Sequence, residues 1–305
     1  MMKKQRLAIF VTACLAGVTS AFAAPLASTN QIVAVVNNQP ITHYQASRYC
    51  ALSNGSTSVT TLCLNNYTKR LAFAAAGEKE IRTDLYNNLP GSMPQQQKEQ
   101  IVKEQEKQWA DQFQKAAPGL IQGLKAVGYS PAAIQKFSLD QVRIMKSERN
   151  IITHTPIPPQ QLNDLLNDIT LDVSDYAFTT YDAAKKAWQS LENKTVSALP
   201  KPTHISEFSQ ATPEMKMTLL DYARAVSISK KSPTQQKPSN NLPVHVPTAH
   251  DQWHILVVKQ LDTDKAASAA DKISELQQKL AEPAITAWRT KAIEDAYIDI
   301  RDNQS

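Results

Sequence analysis

Apolar residues recur along this chain with two periods. Ile32, Val33, Val35 and Val36 form a short β-branched run, and Asn37 with Asn38 tolerates left-handed backbone. The pattern predicts a strand and a turn, with Pro40 to Thr42 leading into a helix that Thr42 caps. So short a strand needs cover from later in the chain. Residues 44–52 read as helix, 53–61 as a loop, and 64–89 as a long helical pattern interrupted at Gly77. After the Pro90 to Pro94 break, residues 95–117 form a polar helix with one apolar stripe: Ile101, Val102, Trp109 and Phe113. A stripe at helical spacing usually packs on a neighbour; the sharper reading is a wall of aromatics open to unfolded chains. Residues 120–127 are a short helix. Ser130 and Pro131 start another over 132–149, Ile151 to Thr153 reads as extended, and 160–167 is a small helix.

The period then changes. Residues 169–179 alternate as a strand does, and 181–192 follow as a helix. Residues 195–212 read mostly as loop, 213–225 as helix and 226–229 as a short strand. Residues 230–243 are a low-complexity polar loop, expected to be mobile. Residues 253–261, WHILVVKQL, are the clearest strand. Two closing helices are expected over 264–281 and 283–300, the second burying Ile285, Trp288, Ile293 and Tyr297.

Met1 to Ala23 has the form of a secretory signal: Lys3, Lys4 and Arg6, an apolar run, then Ala21-Phe22-Ala23 at a cleavage site. The alternative, lipidation at Cys14, would leave an apolar run shorter than the usual ~7 to 15 residues. A membrane span needs ~20 apolar residues, so no stable membrane insertion is expected. Removing the leader lowers the formal charge from +5 to +2, which makes nucleic acid a poor partner. Cys50 and Cys63 remain as an even pair suited to an oxidising compartment. A bond between them would contribute ~3 kcal/mol by chain entropy; the other reading is two buried thiols.

The segments VAVVNNQPIT, GYSPAAIQKFSLDQV, RNIIT and IPPQQLNDLL together resemble the SurA family of periplasmic folding factors, and AITAWRTKAIEDAYIDI resembles its closing helix and last strand. The run from residue 168 to 262 is similar to a single parvulin-type prolyl isomerase module. The resemblance implies an α+β protein: a helical chaperone domain over 24–165, a parvulin-like module over 168–262, and C-terminal helices over 264–305 packing back on the first domain. It implies an ATP-independent chaperone in the periplasm for unfolded exported polypeptides, outer-membrane precursors among them, with no cofactor. Trp109, Phe113, Val33 and Val35 are the expected peptide-binding positions.

Isomerase chemistry must lower a barrier of ~18 to 20 kcal/mol in a preorganised pocket. His254 stands where the family's last strand carries a histidine, but Asp175 takes the place of the first-strand histidine. All seven glycines lie at or before Gly128, so the module lacks the glycines that shape the family's tight loops. A degenerate module is therefore expected. An active isomerase using His254 is the alternative, and a secreted protein dedicated to one partner is a second. His204, His245, His250 and His254 invite a metal reading, but His250 and His254 would converge only at helical spacing, so no metal site is expected. Asp172 and Asp175, at odd spacing, should face opposite sides of their strand.

Overall fold

The computed structural model describes residues 31–195, 199–232, 238–247 and 252–301. The leader with Cys14, His250 and residues 233–237 of the polar loop lie outside them. The chain is α+β and divides into two compact units, one from Thr155 to Leu280 and one comprising the residues before and after it.

The helical unit starts as a hairpin. β1 (Ile32–Val36) and β2 (Gln39–Thr42) are joined by Asn37 and Asn38 at φ of 47° and 65°, the left-handed pair that a tight hairpin demands. Asparagine bears this conformation at little cost. Thr42 then caps α1 (His43–Asn54) reciprocally: its hydroxyl accepts from the Gln45 amide at 3.2 Å, and the Gln45 side chain accepts from the Thr42 amide at 2.9 Å. The chain's last strand, β7 (Ile298–Ile300), pairs antiparallel with β1, Ala34 opposite Ile300 and Val36 opposite Ile298. The sheet order is β2-β1-β7. Its buried side, Val33, Ala34, Val36 and Ile41, packs with Ala46 and Leu64, and Ile298 and Ile300 close the cluster.

Cys50 in α1 is disulfide-bonded to Cys63 in α2 (Thr61–Asn87), with Cα atoms 5.8 Å apart. α2 runs unbroken through Gly77, where an interruption was expected. A Cβ there would meet the Arg143 carbonyl oxygen at 2.9 Å, so the glycine marks close packing on α5 (Pro131–His154). α3 (Gln95–Ala116) and α4 (Pro118–Ala126) complete the helices before α5. α5 continues through Ile151 to Thr153, which the sequence reading made extended.

In the second unit α6 (Pro159–Leu166) leads to a four-stranded antiparallel sheet ordered β4-β3-β6-β5. The strands are β3 (Leu171–Phe178), β4 (Thr203–Ile205), β5 (Asn241–Val246) and β6 (Gln252–Leu261). β4 forms inside the stretch 195–212 expected as loop, and β5 begins within the last residues of the expected 230–243 loop. The helices are α7 (Tyr181–Glu192) and α8 (Pro213–Lys231), and α8 continues through residues 226–229 in place of the expected strand. Val173, Ile205, Val244, Val246, Leu256 and Val258 on one sheet face join Met215, Leu219 and Leu220 of α8 in the main core.

The two expected closing helices are one, α9 (Thr263–Glu294), which continues through Pro283. Its early residues Ala266, Ala269, Ala270 and Ile273 belong to the core of the β-containing unit, so the boundary falls near residue 280 and not at 262. Small residues on that face let the helix approach a sheet-centred core closely. Only the later part belongs with the helical unit: Trp288 lies against Phe73 and donates to Glu80 at 2.7 Å, and Arg289 holds Glu148 at 2.6 Å. Among the described residues no helix is long and apolar enough to cross a membrane.

Candidate functional site

The β-containing unit brings together one pair with chemical potential. Register places Ala177 opposite His254 and Asp175 opposite Leu256. Opposed residues in an antiparallel pair share a face, so Asp175 and His254 lie diagonally on the face that also carries Leu256 and Val244. The His254 Nδ1 is 2.8 Å from Asp175 Oδ1, and each side chain is about 10% exposed. An ionised carboxylate can only accept, so Nδ1–H donates and Nε2 is left to act as base or acceptor. The arrangement orients an imidazole. The same unit's core residues Met215, Leu219 and Phe208 are each no more than 3% exposed.

The other histidines do not converge on this pair. His204 is exposed on β4, its Nδ1 3.4 Å from Asp172 Oδ1. His245 stacks on Trp253 at 4.4 Å, and Tyr181 of α7 meets the same Trp253 edge-on at 4.8 Å, on the opposite face of the sheet. Among the described residues no three histidine, cysteine or acidic side chains form a metal-binding group. A cleft of about 590 Å³ is lined by Ala177, Phe178, Ala183, Lys186 and Leu199, and does not include His254 or Asp175.

In the helical unit, two of the four expected peptide-binding positions are core. Val33 is 1% exposed and Phe113 9%, because each points into its own unit's packing. Val35, alternating on β1, is half-buried. Trp109 is half-buried beneath the Lys146 ammonium, 3.9 Å from the ring centre. An open feature of this unit lies elsewhere. A cleft of about 530 Å³ has a floor of Ala72, Ala75, Ala76 and Ala292, with Lys79, Glu80 and Trp288 among its walls. Its signal in the sequence was alanine at helical spacing in α2, which reads equally as close helix packing.

Between α2, α3 and α5 lies an ion network the sequence reading missed. Glu106, 4% exposed, accepts from Arg143 Nε and Nη2 at 3.2 and 2.7 Å and from Arg82 Nη1 at 3.1 Å. Arg82 also binds Glu99 at 2.5 Å, and Arg143 binds Glu78 at 2.9 Å. The Tyr86 hydroxyl, then Arg82, donate to Glu99 and hold its carboxyl down at about 2. Burial pushes the Asp140 carboxyl up against the opposing pull of Arg70, Lys136 and Arg143.

No family profile and no curated protein matches this chain. Among solved structures it is similar to a SurA-like chaperone of Campylobacter jejuni, at 12% identity over 88% of this chain and 98% of that one, with a TM-score of 0.29. It is similar to the foldase PrsA of Lactococcus lactis at 14% identity, covering 89% and 95%, TM-score 0.28. The foldase PrsA of Streptococcus pneumoniae gives 10%, 87% and 93%, TM-score 0.28. The likeness is remote.

Proposed function

We propose that this protein is an exported, ATP-independent folding chaperone that binds unfolded polypeptides in the periplasm, with outer-membrane precursors among its clients. The observation that carries the reading is the alanine-floored cleft of about 530 Å³ between α2 and the last part of α9, in a helical unit closed by the chain's own end. A floor of small side chains leaves room for a bulky apolar guest, and the polar walls keep such a surface soluble. The signal-like leader and the Cys50–Cys63 bond are in keeping with an oxidising, extracytoplasmic compartment. Added in molar ratios near one, the protein should suppress aggregation of a chemically unfolded outer-membrane protein without nucleotide. No suppression up to tenfold excess would sink the reading.

A second reading, prolyl isomerase, is favoured by the Asp175–His254 pair alone. Against it stand the burial of His254, 9% exposed, and the carboxylate in place of a second imidazole. Proline-limited refolding of a model substrate, with the protein well below substrate concentration, separates the two. The chaperone reading expects an unchanged slow phase. Acceleration in proportion to added protein, lost in His254→Ala, would establish the enzyme.

A further inference from the structure

One face of the helical unit combines exposed apolar side chains with positive charge left unbalanced. Ile101, Gln105 and Trp109 follow one another at intervals of four along α3, the separation that puts helical side chains in a row. Beside Trp109 lies α5, whose Lys146 ammonium rests 3.9 Å from the indole centre. Lys146 and Arg149 are three residues apart and Met145 and Arg149 four, so these three form one surface with the indole. Ile101 and Met145 remain 39% and 37% exposed, and Arg149 is exposed.

Lys146 and Arg149 make no ion pair with a described carboxylate, although Glu104 lines the cleft at the Ile101 and Gln105 end of the face. Among the described residues no carboxylate lies within 4 Å of Lys146 or Arg149; the neighbouring Glu148 is taken by Arg289, and Glu99 by Arg82 and Lys103. Burial, and then the repulsion of Arg149, push the Lys146 ammonium down from its ordinary range, as expected of a cation short of water and of an opposite charge. An indole face offsets part of that cost, and an incoming carboxylate would offset more.

We infer that the surface formed by Ile101, Gln105, Trp109, Met145, Lys146 and Arg149 is a docking patch for an unfolded polypeptide segment carrying apolar side chains next to carboxylates. Methionine adapts to varied apolar partners and tryptophan offers a large rigid face, while the two cations select acidic segments and speed their capture. This rests on the chaperone reading and adds a client preference to it.

The test uses the full chain and two fluorescent 12-residue peptides with identical apolar residues, one with three Asp and the other with three Lys. Fluorescence anisotropy at low salt should show the acidic peptide binding at least tenfold more tightly. The preference should shrink severalfold at 0.5 M salt, where screening is short-ranged. Lys146→Glu with Arg149→Glu should reverse the order of the peptides, and Lys146→Gln with Arg149→Gln should abolish the preference; unchanged thermal melting shows that the variants are folded. Equal binding of both peptides, binding of neither, or a preference that survives the charge changes overturns the inference. If the wild type still suppresses client aggregation in those cases, only the patch is wrong. If it does not, the chaperone reading fails with it.

Discussion

Glu106 is where the helical unit concentrates its electrostatic cost. A carboxylate 4% exposed is stable only because two guanidinium groups surround it. Removing one member of a buried pair leaves the rest unbalanced at about 3–5 kcal/mol, so Glu106→Ala should lower unfolding stability by that order in urea titration. Glu99 is a half-buried member of the same network and acts through pH. Its carboxyl is held at about 2, below the ordinary value of an unfolded chain near 4.3. Its stabilising contribution is present above the unfolded value and is lost as pH falls through about 2. Glu99→Gln should therefore reduce stability at pH 7 and flatten the acid limb between about pH 4.5 and 2, read as Tm against pH. At this scale the sequence told part of the story. Thr42 announced its cap, and His254 was marked as a strand histidine. That Asp175 touches His254 depends on the register of β3 against β6, and that Glu106 lies buried depends on which face of a polar helix meets two others. Neither is written in local spacing.

Elements with strong local signals fell where the residues put them, and the others were decided by neighbours. α7, capped by Thr180, and β6, a β-branched run, stand within a residue of their expected bounds. Gly77 and Pro283 are the instructive exceptions, since both weaken a helix locally and both helices continue. At Gly77 the continuation has a visible cause, the 2.9 Å approach that any Cβ would make to the Arg143 carbonyl. A β-branched side chain cannot fit without separating α2 from α5. Gly77→Val should cost roughly 1–3 kcal/mol by overpacking, measured as a lower urea midpoint with unchanged slope. β5 escaped notice because it is an edge strand with a proline inside it. The Val258 amide donates to Asn240 at 2.9 Å, so alternate residues Asn241, Pro243 and His245 turn their backbone groups outward. The Asn241 carbonyl accepts from Trp188 Nε1 and its amide donates to the Ser239 hydroxyl, both at 3.1 Å, while Pro243 has no amide hydrogen. This blunts the edge against pairing with other chains. Pro243→Val restores a donor there and should raise the light scattering of concentrated solutions on warming, with the monomer's circular dichroism unchanged.

At the scale of the whole molecule, the chain's two ends complete one unit and its middle is another. The hydropathy pattern showed that β1 needed a later partner, but not how α9 would divide between the units. Alanines 266, 269 and 270 carry little hydrophobic signal, and only a core of the right shape recruits them. This division predicts an asymmetric response to truncation after Leu280. β1 would lose β7, leaving a two-stranded hairpin that is marginal alone. The helical unit would also lose the Trp288 and Arg289 contacts to Glu80 and Glu148. The core around Leu219, Leu256 and Ile273 contains no residue beyond 280 and should survive intact. Hydrogen exchange followed by mass spectrometry distinguishes these consequences. Peptides covering Val33 to Val36 should lose protection by at least a hundredfold, and those covering Ile255 to Val258 should keep theirs within a few-fold. If both regions lost protection together, the core around Leu219 would depend on the C-terminal residues and the division near residue 280 would be wrong. If neither did, β7 would contribute no stability to the sheet it completes.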